Sequence, residues 1–179
     1  RAGAVYLYKT ANALIENVRI RNFAGDGISW QITEDITVRN CEISGCTGYG
    51  MHPGTGSVGT AVENCHVFDN GSDGMFVCWR VKHSVFKNNR FCRNGRNGIS
   101  IGHKDTDNLF EGNHICGNGS NGIYMRNEKP ANGPHRNIYR RNRIEGNGSA
   151  QGGYDICIDG YAEGVTISGN VIGQAQEGA

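Results

Sequence analysis

The stretch NGISIGHKDTDNLF, residues 97–110, concentrates side chains able to do chemistry. It supplies an imidazole (His103), an ammonium (Lys104), two carboxylates (Asp105 and Asp107) and an amide (Asn108). An imidazole titrates near neutral pH and can take or give a proton, and a neighbouring cation can neutralise a carboxylate on a substrate. Upstream, FVCWRVKH adds Trp79 and Arg80, and YGMHPGTGS adds His52; downstream, YMRNE adds Arg126 and Glu128. Trp79 offers a flat apolar face for a sugar ring. Whether these residues act together depends on the elements that place them.

Those elements repeat. Gly27, Gly50, Gly74, Gly98 and Gly122 each open a short apolar stretch (DGI, YGM, DGM, NGI, NGI), at steps of 23, 24, 24 and 24 residues. Asp155 in YDI takes the same place after a 33-residue step, which predicts an insertion of about nine residues in RNEKPANGPH, a loop over 126–136. In phase with the glycines, Ile20, Ile43, Val67, Phe91, Ile115, Ile144 and Ile172 form a second landmark. Beside them runs the series Val18, Cys41, Cys65, Asn89, Asn113, Asn142, Asn170, whose four asparagines are expected to pass amide hydrogen bonds from coil to coil. The turns DNGS, RNGR, GNGS and EGNGS make a third landmark. A period in the twenties indicates a solenoid, here with three short strands and three bends per coil. The 28 glycines and 20 asparagines suit such a chain, because both tolerate positive φ. A leucine-rich repeat is excluded by a count of three leucines.

On these landmarks the sequence resembles the right-handed parallel β-helix family, whose best-known members are pectate lyases, polygalacturonases and phage tailspikes. The resemblance runs from Val5 to Ile172. It implies an all-β, right-handed parallel β-helix solenoid of about seven coils, one domain over 1–179. It does not choose among the chemistries such a fold hosts. Neither end reads as a polar cap, so a piece of a longer protein is expected, with self-association through the open coils.

Bulk properties limit the partners. A net charge of +1, with 20% charged residues, gives no ground for a nucleic-acid or membrane-surface partner. No apolar run approaches the roughly 18 residues of a membrane span. Cys41 and Cys65 share one column and Cys92 and Cys116 another, at about 4.8 Å per coil and so within disulfide reach. The favoured reading is that they fill the stack as small apolar residues. The NGS sequons at Asn70, Asn118 and Asn147 recur at one coil position and are assigned to turn chemistry. His83, His114 and His135 are expected at bends on other faces.

Equal offsets from the marker glycine stack one above another. Two residues on, the outward column is Ser29, His52, Phe76, Ser100, Tyr124, Cys157; Ile28, Met51, Met75, Ile99 and Ile123 face the core. Trp79 then meets His103, and Arg80 meets Lys104. Like charges directly opposed are unfavourable, so Asp105, Asp107 and Glu128, or an anionic substrate, must offset them; both remain open. The resulting expectation is a patch in which His103, Lys104, Arg80, His52 and Asp105 react and Trp79, Arg126, Asp107 and Glu128 bind substrate. It would bind and cleave an acidic polysaccharide on the outer face of one sheet, outside the cell or at its surface. Lyase chemistry is favoured, with Arg80, Lys104 and Arg126 neutralising a uronate while His103 or His52 removes the adjacent proton. Two alternatives stand beside it. One is a glycoside hydrolase using Asp105, Asp107 and Glu128, for which carboxylates about 5–9.5 Å apart are needed. The other is a non-catalytic glycan-binding, filament-forming or tailspike-like module. No cofactor is required, although Asp105, Asp107 and Asn108 offer the oxygen ligands Ca²⁺ prefers. Asp26 in GDGI and Asp73 in SDGM are the nearest match to the acidic cluster of polygalacturonase-like enzymes and double as turn residues.

Overall fold

A computed structural model describes residues 3–150 and 152–173. The chain winds through seven coils whose strands assemble into three seven-stranded sheets, every third strand pairing in parallel. The first sheet begins at Gly3–Tyr8 and continues through Asp26–Gln31, Met51–Gly54, Met75–Phe76, Ile99–Ile101 and Ile123–Met125 to Ile156–Ile158. The second runs from Leu14–Glu16 to Thr166–Ser168 and the third from Arg19–Arg21 to Val171–Gly173. Among the described residues, the one helical piece is a 3₁₀ turn at Pro130–Asn132.

Period-two alternation sends one column of each strand inward. Ile28, Met51, Met75, Ile99 and Ile123 are fully buried in the first sheet, as expected, and Trp30, Val77, Ile101 and Met125 lie with them. In the second, Phe86, Phe110 and Tyr139 stack with ring centroids 4.8 and 4.7 Å apart. Burying such a side chain is worth about 1.5–3 kcal/mol, but only once the next coil covers it, so the stack is stable as a column and not coil by coil.

The marker glycines are not there for positive φ, which none of them has. They are there for close approach. A Cβ on Gly50, Gly74 or Gly98 would stand 2.7 Å from the carbonyl oxygen of the next marker glycine, and one on Gly122 2.5 Å from Asp155 O. Among the described non-glycine residues with left-handed backbone, half are asparagine or aspartate, including Asn17, Asn40, Asn64, Asn88, Asp35 and Asp69. The expected ladder is present: Asn89 donates both its backbone N–H and its amide to Asn113 Oδ1, and Asn113 repeats this to Asn142. A second ladder joins Asn70, Asn94, Asn118 and Asn147, so the sequon amides are hydrogen-bonded inside the solenoid.

Two expectations need correction. The extra nine residues are not one insertion: Asn108 pairs with Asn137 across 29 residues, whereas Asn121 pairs with Tyr154 across 33. Against the ordinary 24-residue step, five of them enter the loop after Met125 and four enter the turn after Glu145. The cysteines also divide by face. Cys41 and Cys65 point inward and are buried thiols, while Cys92 and Cys116 are joined by a disulfide with Cα atoms 4.6 Å apart. Phe91 and Ile115 take the core side of that pair, which turns the two sulfurs to the outer face, where there is no core to fill.

Candidate functional site

The outer face of the first sheet brings His52 against a carboxylate that sequence reasoning assigned to a turn. Asp26 begins its strand one coil below, is fully buried, and accepts a hydrogen bond from the Tyr49 N–H at 2.9 Å through Oδ1. Its Oδ2 lies 3.1 Å from His52 Nδ1, with the Ser29 hydroxyl at 3.3 Å. The strand register stacks Ser29 beneath His52, which leaves Asp26 filling the space at the strand's entry. Tyr49 and Phe76 stack on one another at 4.5 Å, and both present ring edges to His52, at 5.3 and 5.6 Å. The imidazole is therefore fixed by a buried acid on one side and by aromatic walls on the other. Its side chain remains 13% exposed. A buried carboxylate that accepts from Nδ1–H leaves Nε2 as the nitrogen available to act as a base.

Arg126 reaches the same face from three coils above His52. Its guanidinium lies 4.4 Å from the centre of the Phe76 ring and donates to Ser100 Oγ and Val77 O, each at 2.9 Å. Gly102 makes this pose fit, since a Cβ there would stand 2.6 Å from Arg126 Nε. Asp105 sits behind, 3.5 Å from the guanidinium, and accepts the N–H groups of Val81 and Gly102. Burial pushes the Asp105 carboxyl up to about 6, against the pull of those donors and of Arg126. Asp105 is thus a fully buried support for Arg126 and does not reach a ligand, which corrects its expected place among the reacting groups.

At the far ends of these strands, Trp79 and His103 stack with centroids 4.9 Å apart, and His103 Nδ1 lies 3.4 Å from Glu128 Oε2. Trp79 is half exposed. Trp79, Arg80 and Lys104 all hold left-handed backbone, with φ of 68°, 66° and 58°, which throws the turn outward. Arg80 and Lys104 are exposed. Asp107 is drawn away from the patch: Arg136 grips it with two hydrogen bonds of 2.7 and 2.8 Å and holds its carboxyl down at about 2. Asn108 is buried in an amide pair with Asn137. The oxygens of Asp105, Asp107 and Asn108, considered from the sequence as Ca²⁺ ligands, each accept from partners inside the protein. His83 is exposed on a turn, but His114 is a strand residue of the third sheet and His135 pins the inserted loop through Pro130 O.

The family follows from comparison. A model described as "Right handed beta helix region" matches residues 1–132. The chain belongs to this family. Among solved β-helices, the A-module of the Azotobacter vinelandii mannuronan C-5 epimerase AlgE6 superposes with a TM-score of 0.73 at 21% identity, covering 89% of this chain and 50% of that one. The periplasmic alginate epimerase AlgG gives 0.61 at 15% identity, covering 95% and 48%. The Dettilon tailspike protein gives 0.57 at 18%, covering 80% and 37%. The chain spans about half the length of the two epimerase structures. No curated protein matches by sequence. At these identities the likeness establishes the β-helix fold.

Proposed function

We propose that the outer face of the first sheet binds an acidic polysaccharide and that His52 removes the proton from the carbon bearing a uronate carboxylate. The observation behind this reading is the Asp26–His52 pair, a buried acid orienting a partly exposed imidazole within a wall of aromatic rings. Removing such a proton drives negative charge onto the carboxylate, and a fixed cation lowers that barrier. Arg126, held against the Phe76 ring that His52 also touches, supplies it. The half-exposed Trp79, stacked on His103, extends the surface by a sugar-sized platform.

Proton removal has two outcomes. Return of a proton to the opposite face inverts the sugar, whereas departure of the neighbouring glycosidic oxygen cleaves the chain and leaves an unsaturated end. The epimerisation outcome is favoured by the structural neighbours, two of which act on alginate or mannuronan according to their names. The neighbour AlgG is periplasmic by its name, which supports placing this protein outside the cytoplasm, in the extracellular space or at the cell surface. The two-carboxylate hydrolase is disfavoured by the geometry, since Asp105 is buried and Asp107 is bound to Arg136. Polymannuronate incubated with the protein and followed by proton NMR, ultraviolet absorbance and reducing-end detection separates the outcomes. New guluronate signals are expected; reducing ends without unsaturation would overturn the reading.

A further inference from the structure

The third sheet carries a cluster on its outer face that the function above does not use. Cys92, Cys116 and Glu145 are stacked partners in successive coils. His114 precedes Cys116 by two residues on the same face, and its Nε2 lies 2.8 Å from Glu145 Oε1. The donor atoms of Cys92, His114 and Cys116 all fall within 4.8 Å of one another. Glu145 also accepts from Arg143 Nε at 2.9 Å.

We infer that, once the Cys92–Cys116 disulfide is reduced, Cys92, Cys116, His114 and Glu145 form a binding site for a borderline-soft divalent metal such as Zn²⁺. Two thiolates, an imidazole and a carboxylate are the donors such an ion takes in tetrahedral sites, where donor atoms stand about 3.3–3.8 Å apart. Three of the donors already lie within 4.8 Å of one another, and Glu145, 2.8 Å from the imidazole, is the adjacent fourth, so the site requires side-chain rotation of the cysteines and of Glu145 after reduction. Reduction by a phosphine is balanced: the S–S bond breaks, the phosphine becomes its oxide with oxygen from water, and two thiols form. The metal then displaces both thiol protons. Glu145 exchanges its contact with His114 Nε2 for the ion, and Arg143 offsets the remaining negative charge. The consequence is structural continuity. The disulfide ties two coils together when oxidised, and the metal ties three when reduced.

Cobalt(II) is a suitable probe, because thiolate ligation gives an intense charge-transfer band. Phosphine-reduced protein, handled without oxygen, is expected to bind one equivalent with that band, and oxidised protein none. His114→Ala should weaken binding by roughly 10- to 100-fold, at least the loss a supporting partner gives, while the oxidised variant keeps a wild-type circular-dichroism spectrum. The double change Cys92→Ser, Cys116→Ser should abolish the band. If the reduced chain loses structure, recovery of the β spectrum on adding cobalt supports the site and failure to recover overturns it. A reduced wild type without the band, or a band that persists in the double variant through the buried Cys41 and Cys65, also overturns it.

Discussion

Asp26→Asn isolates the proton inventory of His52 with little change of shape. In the native chain the carboxylate accepts from Tyr49 N–H at 2.9 Å and faces His52 Nδ1 at 3.1 Å, a geometry that favours the tautomer with its proton on Nδ1 and a lone pair on Nε2. An asparagine keeps the oxygen toward Tyr49 and turns its NH₂ toward Nδ1. His52 must then accept there and carry its proton on Nε2, where a base is needed. Fixing the wrong tautomer of a catalytic imidazole costs about 10²–10⁴ in rate, or about 3–5 kcal/mol of barrier. Stability should fall by about 1–3 kcal/mol, since the His52 bond to Oδ2 is rearranged and the Ser29 hydroxyl loses its acceptor there. Long-range ¹H–¹⁵N spectra of the His52 ring read the tautomer directly and need no substrate. The expected result is Nδ1–H in the native protein and Nε2–H in the variant, with proton exchange on polymannuronate reduced at least 100-fold in step. A native ring protonated on Nε2, or a variant with undiminished exchange, would refute the reasoning.

Three further outcomes follow from the same geometry. Asn113→Ala removes the acceptor of two Asn89 donors and the donors to Phe86 O and Asn142; at about 1–3 kcal/mol per stranded buried group, urea unfolding should show a loss of about 3–5 kcal/mol, and a loss under about 1 kcal/mol would contradict the ladder's role. The Asp105 carboxyl should titrate near 6 by ¹³C NMR, raised by burial. Because its folded value exceeds the unfolded value of 3.8, its contribution to stability is full below pH 3.8 and is lost as pH rises through about 6; a midpoint below 4 would show that burial does not dominate. Trp79→Ala should weaken binding of an acidic oligosaccharide by roughly 3- to 10-fold, the worth of an aromatic stack, without shifting the unfolding midpoint; unchanged affinity would remove Trp79 from the surface.

The solenoid was legible because each coil must satisfy the same stacking constraints, so the apolar columns and the ladder Asn89, Asn113, Asn142, Asn170 recur in the sequence at the coil's own period. Equal offset predicted neighbours wherever the strands ran in register, as for Trp79 on His103. It failed where contact is diagonal. Asp26 meets His52 by crossing one coil and three positions, and that contact has no signature in a column of like residues. Aspartate before a strand glycine occurs at both Asp26 and Asp73, and at Asp73 it accepts from the Asn97 backbone and amide as a structural residue. Only the histidine one coil above distinguishes Asp26. The polar run His103 to Asn108 looked like one site but alternates in direction: Asp105 and Asn108 turn inward to support the coil, while His103 turns out to Trp79 and Glu128. Charge density in sequence was a weaker guide to chemistry than the buried acid behind a single imidazole.

Solvent exchange at C-5 of a uronate polymer tests the central claim most directly. Polymannuronate is incubated in D₂O with the native protein and with His52→Gln, and deuterium at C-5 is measured by NMR and mass spectrometry. Native protein should place deuterium at C-5 where the proton is returned and the sugar inverted, or leave an unsaturated end with no hydrogen at C-5 where the chain is cleaved. His52→Gln should lower the rate of either at least 100-fold with the β-helix intact by circular dichroism. Incorporation at equal rates by both proteins, or chain cleavage by the native protein with neither deuterium at C-5 nor an unsaturated end, would contradict it.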